Sequence, residues 1–581
     1  MRQEFTGLGA SRGSALGRAR VRLPHVLDVV EERIPTEAVE PELARLHEAI
    51  AKVRAEMHAL RERLHGALMH EVGEFLDLHA LLLDDPELLQ GLDGLIRNGR
   101  YSADYALRKQ RDRLAAVFES MDDPYFQSRV DDVDQVIGRI HAALHRRDNV
   151  MAGMAGEILV TDAVAPAELA ELQGQGVMAV VTTGGSALSH SAILARSLHL
   201  PLVVGAANAL QKIGDGDVLA VDGGSGLVVV EPDATDLRAH RARLREQARE
   251  RKQLRRLRRE PSRTRDGVDI KLWANAESRE DVAEAHALGA AGVGLYRTEF
   301  LFLGSSELPG EEAQFRAYRD LVLGMTGRTA TIRTLDMGAD KADRSGLTLD
   351  YEPNPALGLR GIRLSLAREG LFDTQLRAIA RASGYGPVRV LVPMVCSREE
   401  VVAARARLDR VMAEVRANGH AVAEHIAMGA MIEVPSAAIA LPDFIAVLDF
   451  VSIGTNDLVQ YLLAVDRNHD ALAELYSPLH PAVVRLLHKV IRTAQARGKP
   501  VAVCGEMASD AAFVPLLLAL GLEELSMHPS SLLEVRRAIR DCDLGLLRAR
   551  LPLLLRARDR AGIEAWMQKA AAAGDNGGMN A

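Results

Sequence analysis

Residues 427–457 read AMGAMIEVPSAAIALPDFIAVLDFVSIGTND, and they show the repeating pattern of the C-terminal half most clearly. It contains two short apolar runs, AMGAMIEV and FVSIGTND, with a helix-like segment between them. Short apolar runs that alternate with helical patterns of about ten or more residues are typical of β-α-β units with parallel strands. We therefore expect residues 427–457 to form one repeat of a parallel α/β structure.

The same alternation runs from residue 265 to the end of the chain. Six further strand candidates follow the pattern, namely DIKLWANA (269–276), GVGLYRTE (292–299), TATIRTLD (329–336), RVLVPMV (389–395), PVAVCGEM (500–507) and LEELSMHP (522–529). Eight strand candidates, most of them followed by a helical segment, predict a closed (β/α)8 barrel over residues 263–570. The composition of residues 571–581 predicts a disordered tail.

The first 262 residues have a different organisation. Short β-branched runs between Gly, Pro and Asp turns fill residues 1–23 and 146–235, and they predict one small α/β domain. Residues 24–145 place apolar side chains three and four apart with almost no glycine, which predicts an all-helical insertion. The basic residues 236–262 are interpreted as a linker helix. The predicted fold class is therefore multi-domain α/β with a C-terminal TIM barrel.

Composition narrows the classes of function. The 581-residue chain has a net charge of −8, so nothing in it favours a nucleic-acid partner, although the basic linker is an alternative candidate for one. Three cysteines are too few for a disulfide framework. The N-terminus has no apolar segment of a signal peptide, and no apolar run is long enough to cross a membrane. We expect a cytoplasmic protein.

One histidine stands in a phosphate-binding context. The segment TTGGSALSHSAILARSLHLPLVVG (182–205) follows a strand and leads into a short helix, with Ser189 as N-cap and His190 in the first turn. A helix start offers unpaired N–H groups to a phosphate held on the imidazole. Histidine can carry a phosphoryl group because its neutral nitrogen is nucleophilic near pH 7. The alternative is an incidental histidine on a capped surface helix.

Charged and polar residues recur where the predicted barrel strands end, which is the rim that carries active sites in this fold. They are Arg297, Arg333, Glu433, Asn456, Asp457 and Cys504, with Arg467 shortly downstream and Arg360 in a long connection. Converging arginines predict a site for a small phosphorylated anion. Glu433 and Asp457 could share one Mg²⁺. Taken alone, each of these arginines and carboxylates could instead belong to an ordinary ion pair.

Cys504 is a candidate proton donor. It ends a predicted strand and faces the proposed anion site, so its thiol could donate a proton to a carbanion or enolate formed there. A buried cysteine is more often a small apolar residue. Cys396, at the end of an earlier predicted strand, competes for the same role.

These motifs resemble the signature segments of the Enzyme I family of the phosphoenolpyruvate-dependent sugar phosphotransferase system. The segments are GLGASRGSALGRA (7–19), the His190 segment, GLYRTEFLF (294–302), TIRTLDMGADK (331–341), NPALGLRGIR (354–363), MIEVPSA (431–437), SIGTNDLVQYLLAVDRN (452–468), CGEMA (504–508) and ELSMHP (524–529). The resemblance extends from about residue 5 to residue 570. It departs from the usual carrier motif at Ser186, Leu188 and Ser191, and from the usual TLDMGGDK at Ala339.

The resemblance implies a function and a set of roles. A phosphoryl group would pass from phosphoenolpyruvate to Nε2 of His190 and then to a histidine of the carrier protein HPr, with release of pyruvate. Arg297, Arg333, Asn456, Asp457 and Arg467 would bind phosphoenolpyruvate, Arg360 would add a phosphate contact, Glu433 and Asp457 would hold Mg²⁺, and Cys504 would donate the proton. The helical insertion would bind HPr near Glu71, His79 and Asp84, the α/β domain would swivel, and the barrel would form a homodimer.

Two other functions compete with this one. A pyruvate phosphate dikinase or phosphoenolpyruvate synthase shares the carrier domain and the barrel, but it needs an ATP-binding domain of several hundred residues. Only the helical block is available here, and it has no Gly-rich phosphate loop. A non-catalytic regulator that binds phosphoenolpyruvate is the second alternative, and the complete set of strand-end groups disfavours it.

Overall fold

The computed structural model describes residues 2–22, 31–63, 79–119, 129–145, 154–164, 166–185, 190–198, 200–302, 308–338, 347, 352–467, 472 and 474–575. The chain divides into two compact units, Met1–Arg249 and Glu250–Ala581. The division falls inside the exposed basic helix Ala234–Arg256, which occupies most of the predicted linker.

An eight-stranded mixed sheet forms the centre of the first unit. Its strands are β1 (Gln3–Thr6), β2 (Leu8–Ser11), β3 (Ser14–Val21), β4 (Glu157–Thr161), β5 (Ala179–Thr182), β6 (Leu202–Val204), β7 (Val218–Asp222) and β8 (Leu227–Val230). Their order is β1-β8-β7-β3-β4-β5-β6-β2, and β3 to β6 are mutually parallel. Apolar side chains on both faces of β4 and β5 are buried, because helices cover part of this sheet. Its helices are Pro166–Gly174, His190–Ser197, Ala209–Lys212 and the basic helix.

A helical bundle interrupts this sheet in the chain. β3 and β4 are hydrogen-bonded neighbours, with Arg18 opposite Glu157, although the whole bundle lies between them in sequence. Its helices include Val39–Arg63, Pro86–Arg97, Ala103–Glu119 and Arg129–Leu144. Leu46, Leu92 and Ile140 are among the fully buried side chains of its own core. The bundle is therefore an insertion with a separate core.

The second unit is a closed barrel of eight parallel strands, as predicted. They are β9 (Lys271–Ala276), β10 (Val293–Tyr296), β11 (Ala330–Arg333), β12 (Val388–Val392), β13 (Ala427–Ile432), β14 (Phe450–Ile453), β15 (Val501–Val503) and β16 (Glu524–Met527), and β16 pairs with β9 to close the ring. Around them lie Arg279–Ala287, Glu311–Gly324, Ile362–Ala367, Glu369–Ala382, Arg398–Ala417, Pro435–Phe444, Thr455–Leu463, Pro481–Ala496, Glu506–Ser509, Val514–Leu520, Leu532–Asp541, Leu544–Arg556 and Arg560–Asp575. The fold class predicted from the sequence is confirmed.

Side chains close the amino-terminal end of the barrel. The Arg389 guanidinium lies 5.1 Å from the Trp273 ring centroid and 5.2 Å from that of Phe450. Glu524 accepts hydrogen bonds from Trp273 Nε1 at 3.1 Å and from Lys271 Nζ at 3.0 Å. These side chains fill the amino-terminal part of the barrel, so a ligand site can form only at its carboxyl-terminal end.

The C-terminal prediction needs a correction. Residues 571–575 are the end of the helix Arg560–Asp575 and not the start of a disordered tail. The run of alanines at 570–573 explains the difference, because alanine has the highest helix propensity. Residues 576–581 lie outside the described residues. Among the helices that the structure describes, none is both long enough and apolar enough to span a membrane.

Candidate active site

The predicted site residues of the barrel lie at one rim. Arg297 directly follows β10, Arg333 is the last residue of β11, Glu433 directly follows β13, and Cys504 directly follows β15. Asn456 and Asp457 lie in the first turn of the helix Thr455–Leu463, three and four residues after β14. Because the strands are parallel, these positions all lie at the carboxyl-terminal end of the barrel.

Arg333 lies between two carboxylates. Its guanidinium forms ion pairs at 3.1 Å with Glu299 and at 3.1 Å with Asp336; the Arg333 side chain is 11% exposed and both carboxylates are buried. Nη1 also lies 4.0 Å from the sulfur of Met431. Burial alone would lower the pKa of Arg333, but the two carboxylates outweigh it and the pKa is raised. Arg333 is therefore a permanent cation in a fixed position.

Arg360 continues this chain of alternating charges. Its Nη2 lies 3.0 Å from Asp336 Oδ2 and 3.5 Å from Asp457 Oδ2, and Nη1 donates to the Tyr461 hydroxyl at 3.2 Å. Arg467 Nη1 lies 3.9 Å from the other oxygen of Asp457. The predicted residues Arg333, Arg360, Asp457 and Arg467 are thus brought together in one network.

The sequence reasoning missed the carboxylates that hold the arginines. Asp336 bridges Arg333 and Arg360, and Glu299 holds the other side of Arg333. Their positions in the sequence could have indicated a place in the site, since Asp336 ends the strand motif TATIRTLD and Glu299 lies two residues after Arg297. In the sequence both residues appear only as letters of their motifs, and nothing there assigns them a partner.

Arg297 has its own partner. Its Nη1 donates to Glu277 Oε1 at 2.5 Å, and Glu277 directly follows β9. Burial raises the pKa of Glu277, and the nearby Arg297 only partly offsets this effect. Arg297 is 39% exposed, so it is the most accessible of the strand-end arginines.

Glu433 is the most deeply buried carboxylate of the predicted site, with 1% of its surface exposed. Its Oε1 accepts the backbone N–H of Met394 at 2.6 Å. Burial, together with the negative charges of Asp336 and Asp457, raises the pKa of Glu433 to about 8. A Cβ atom at Gly454 would lie 2.7 Å from Oε2, so the carboxylate needs a glycine there.

The Cys504 thiol is buried and neutral. It donates a hydrogen bond to the carbonyl oxygen of Ile453 at 3.5 Å. Burial raises its pKa to about 11. The charges of Glu433, Arg333 and Arg297 also act on this thiol, which places it within the same electrostatic environment.

Cys396 has different surroundings. Its sulfur accepts a hydrogen bond from Arg363 Nη2 at 3.2 Å, and its backbone N–H donates to Glu400 at 2.6 Å. Glu400 belongs to the capping box at the start of the helix Arg398–Ala417. Cys396 therefore takes part in the start of this helix.

The Asn456 side chain joins two strand-end loops. Its Nδ2 donates to Glu506 Oε1 at 3.0 Å, and its Oδ1 accepts the backbone N–H of Glu506 at 3.0 Å. The Tyr476 hydroxyl donates to the Asn456 carbonyl oxygen at 3.1 Å. These residues also line a cavity of about 200 Å³. The amide is thus directed at Glu506 rather than at the arginine network.

His190 belongs to the first compact unit, Met1–Arg249. It is the first residue of the helix His190–Ser197. Ser191 Oγ donates to the Val164 carbonyl at 2.7 Å, and Arg196 donates to that of Ala10 at 2.9 Å, so both ends of this helix are held against the domain. The predicted N-cap, Ser189, lies outside the described residues.

Two of the three residues near which docking is predicted, His79 and Asp84, lie within the described part of the chain. His79 is completely buried, with 0% exposed, so it lies beneath the surface of the predicted docking region and not on it. Asp84 is exposed and pairs with Arg54 at 2.5 Å. Glu71 lies outside the described residues.

Comparisons with known proteins agree with this architecture. Three family models match, described as PEP-utilising enzyme, N-terminal (residues 6–129), PEP-utilising enzyme, mobile domain (153–226), and PEP-utilising enzyme, PEP-binding domain (251–544). The β/α barrel with this arginine network, together with the three matches, defines the class: the chain is a PEP-utilising enzyme.

Whole-chain relatives identify the family within this class. The phosphoenolpyruvate-protein phosphotransferase of Cupriavidus necator is 44% identical over 92% of this chain and 93% of its own length. Those of Geobacillus stearothermophilus and Staphylococcus aureus (strain MSSA476) are 39% and 37% identical over 92% and 93% of this chain, and over 92% and 94% of their own lengths. The chain belongs to the phosphoenolpyruvate-protein phosphotransferase family.

Proposed function

We propose that this chain transfers the phosphoryl group of phosphoenolpyruvate to its own His190 and then to a histidine of HPr, as the first step of the sugar phosphotransferase system. Pyruvate is the other product. The single observation that carries the proposal is the network of Arg333, Arg360 and Arg467 around Asp336 and Asp457 at the barrel rim. Family membership supports the same reaction.

The arginines bind and orient the substrate. Phosphate and carboxylate oxygens of phosphoenolpyruvate compete with Asp336 and Asp457 for guanidinium N–H groups, and the planar fork of arginine suits both groups. Arg297 and Arg467, which are 39% and 40% exposed, can reach a ligand with less desolvation than the more buried Arg333 and Arg360. Asn456, whose amide is held by Glu506, would contribute a polar group at the edge of the site.

The charge balance at the rim favours a divalent cation. Four arginines face five carboxylates, namely Glu277, Glu299, Asp336, Glu433 and Asp457, so a bound trianion leaves a large excess of negative charge. Burial and the charges of Asp336 and Asp457 raise the pKa of Glu433, and a bound cation would oppose this effect because it stabilises the ionised carboxylate. We assign Glu433 and Asp457 as the residues that would hold Mg²⁺, which supplies charge neutralisation to the phosphoryl oxygens.

Transfer occurs in line, with neutral His190 Nε2 attacking phosphorus while the enolate oxygen leaves. Cys504 then gives its proton to the enolate carbon, and the product is pyruvate. Its neutral buried thiol supports this role, since the proton is retained until the enolate forms. Cys396, held in the capping region of its helix, is the less suitable donor.

The remaining assignments concern the whole protein. The donor site is on the barrel, and we assign HPr binding to the helical insertion, so His190 must visit both. We infer a swivelling of the α/β domain about segments near residues 23, 145 and 235–262, of which residue 23 lies outside the described residues. We further propose a cytoplasmic homodimer that associates through its barrel.

Labelled phosphoenolpyruvate tests the proposal directly. Incubation with Mg²⁺ and no nucleotide should place acid-labile, base-stable label on the wild type and none on His190→Ala. Purified HPr should then remove the label from the wild type. A requirement for ATP would instead indicate a dikinase, and complete absence of label on folded protein would indicate a binding protein without catalysis.

A further inference from the structure

A second cluster of metal-binding side chains lies in the helical insertion. Asp104, His141 and His145 place one ligand atom each within 4.8 Å of one another. Asp104 is in the first turn of the helix Ala103–Glu119, His141 is in the last turn of Arg129–Leu144, and His145 directly follows that helix. Among the residues that the structure describes, it is the one group of three such side chains with this proximity.

We propose that Asp104, His141 and His145 form a binding site for a borderline divalent metal ion such as Zn²⁺, separate from the barrel site. Two imidazole nitrogens and one carboxylate oxygen are a ligand set that zinc uses, with water in the fourth position. The same set disfavours Mg²⁺, which prefers oxygen ligands in octahedral geometry. The proposal goes beyond the phosphoryl transfer and does not depend on it.

The distances fit a tetrahedral ion. With bonds of about 2.0–2.2 Å, two ligand atoms of a tetrahedral zinc site lie about 3.3–3.5 Å apart. Asp104 Oδ1 lies 3.4 Å from His141 Nε2 and 2.8 Å from His145 Nε2. The first distance already matches, and the second needs an opening of about half an ångström, which His145 can provide because its side chain is 39% exposed.

Neighbouring residues fix the carboxylate in a ligating orientation. Arg45 Nη2 lies 3.5 Å from Asp104 Oδ2, which leaves Oδ1 directed at the imidazoles. Glu42 pairs with Arg45 at 2.8 Å and accepts the backbone N–H of Ala103 at 2.8 Å, so it holds the start of the helix as well. Supporting contacts of this kind are usual around protein metal ligands.

The spacing of the histidines supports chelation rather than a simple ion pair. Residues four apart lie on one face of a helix, so both rings can bind one ion. Their ring centroids are 4.6 Å apart, and both Nε2 atoms approach the same oxygen, Oδ1 of Asp104. A bound ion would connect the last described helix of the bundle to the helix Ala103–Glu119.

Calorimetric titration of the full-length, EDTA-treated and dialysed protein with ZnSO₄ tests the site. Excess Mg²⁺ is present in the buffer so that oxygen-rich sites are already occupied when zinc is added. We expect one zinc equivalent in the wild type, at least tenfold weaker binding in His145→Gln and Asp104→Asn, and unchanged binding in His47→Gln. His47 is the matched control, since it contacts Asp93 at 2.8 Å and lies on a different helix. Equal zinc binding by wild type and His145→Gln would overturn the proposal.

A second experiment measures a new absorption band, so it tests the proposal even if these variants fold poorly. Co²⁺ should give the visible bands of a tetrahedral site in the wild type. His145→Cys should add a near-ultraviolet thiolate-to-cobalt band that wild type lacks, and its thermal midpoint should still rise with metal. Absence of that band in a variant with native circular dichroism would reject His145 as a ligand.

Discussion

Arg333 and Arg467 carry the same charge in very different surroundings. Arg333 is largely buried between Glu299 and Asp336, whereas Arg467 is 40% exposed and lies 3.9 Å from Asp457. Removal of a buried ionic partner leaves charges without compensation, but an exposed pair contributes little to stability. Their individual effects on folding and catalysis can therefore be separated.

We predict that Arg333→Gln loses about 3–5 kcal/mol of unfolding free energy, and at least about 100-fold in kcat/KM. Arg467→Gln should change the unfolding free energy by less than about 1 kcal/mol while it raises KM for phosphoenolpyruvate. Urea unfolding and steady-state kinetics measure both quantities. An equal loss of stability in the two variants would contradict this interpretation of the network.

The Cys504 thiol gives the stability of the barrel a pH dependence. Its pKa of about 11 in the folded protein lies above the ordinary value of 9.0. The neutral thiol therefore stabilises the fold fully below pH 9, and this contribution is lost as the pH rises to 11 because only the unfolded chain ionises in that window. The stability difference between wild type and Cys504→Ala should fall by about 2 kcal/mol between about pH 8.5 and pH 11. Urea unfolding at both pH values tests this, and a constant difference would show that the thiol is not buried as described.

At the scale of elements, the loop after β14 shapes the proposed metal site. A Cβ at Gly454 would meet Glu433 Oε2 at 2.7 Å and Glu433 Cβ at 3.0 Å. Both contacts are closer than van der Waals distance, so Glu433 would have to shift. The geometry of a proposed Mg²⁺ ligand thus depends on a residue that binds nothing itself.

We therefore predict that Gly454→Ala raises the Mg²⁺ concentration needed for half-maximal activity by about tenfold or more. Gly370→Ala is the matched control, because a Cβ at this helical glycine meets no atom within 4 Å. The control should keep wild-type Mg²⁺ dependence and gain up to about 1 kcal/mol of stability. Magnesium titrations of the phosphorylation rate provide the measurement. Similar dependence in both variants would reject the role given to Gly454.

Substitutions at the amino-terminal end of the barrel should change stability and leave activity unchanged. Arg389 stacks between Trp273 and Phe450 at the end opposite the strand-end arginines. Arg389→Met retains much of the packing and removes the cation, so we expect a loss of about 1–2 kcal/mol with kcat/KM unchanged. A large loss of activity in a folded Arg389→Met protein would show that the two ends of the barrel are coupled.

At the scale of the whole molecule, the proposed reaction requires movement between two compact units. We predict that small-angle scattering of the His190→Ala protein cannot be described by one rigid arrangement, and that phosphoenolpyruvate with Mg²⁺ shifts the distribution. His190→Ala prevents turnover, so the effect of ligand binding is isolated. One unchanging profile with and without ligand would contradict the swivelling mechanism.

The sequence by itself determined the barrel and the identity of most candidate site residues. Eight apolar runs with helical segments between them leave few alternatives to a closed parallel barrel, and all eight strands form. Because parallel strands end at one rim, residues such as Arg333, Glu433 and Cys504 could be assigned to a common site from their place in the chain alone.

The contacts between side chains of distant elements become visible only in the folded chain. Asp336 as the bridge between two arginines, the raised pKa of Glu433 and the cluster of Asp104 with His141 and His145 depend on loop paths and helix packing. Sequence periodicity reports which face of an element is buried, but not which residue of a distant element lies opposite. For the same reason the burial of His79 was missed.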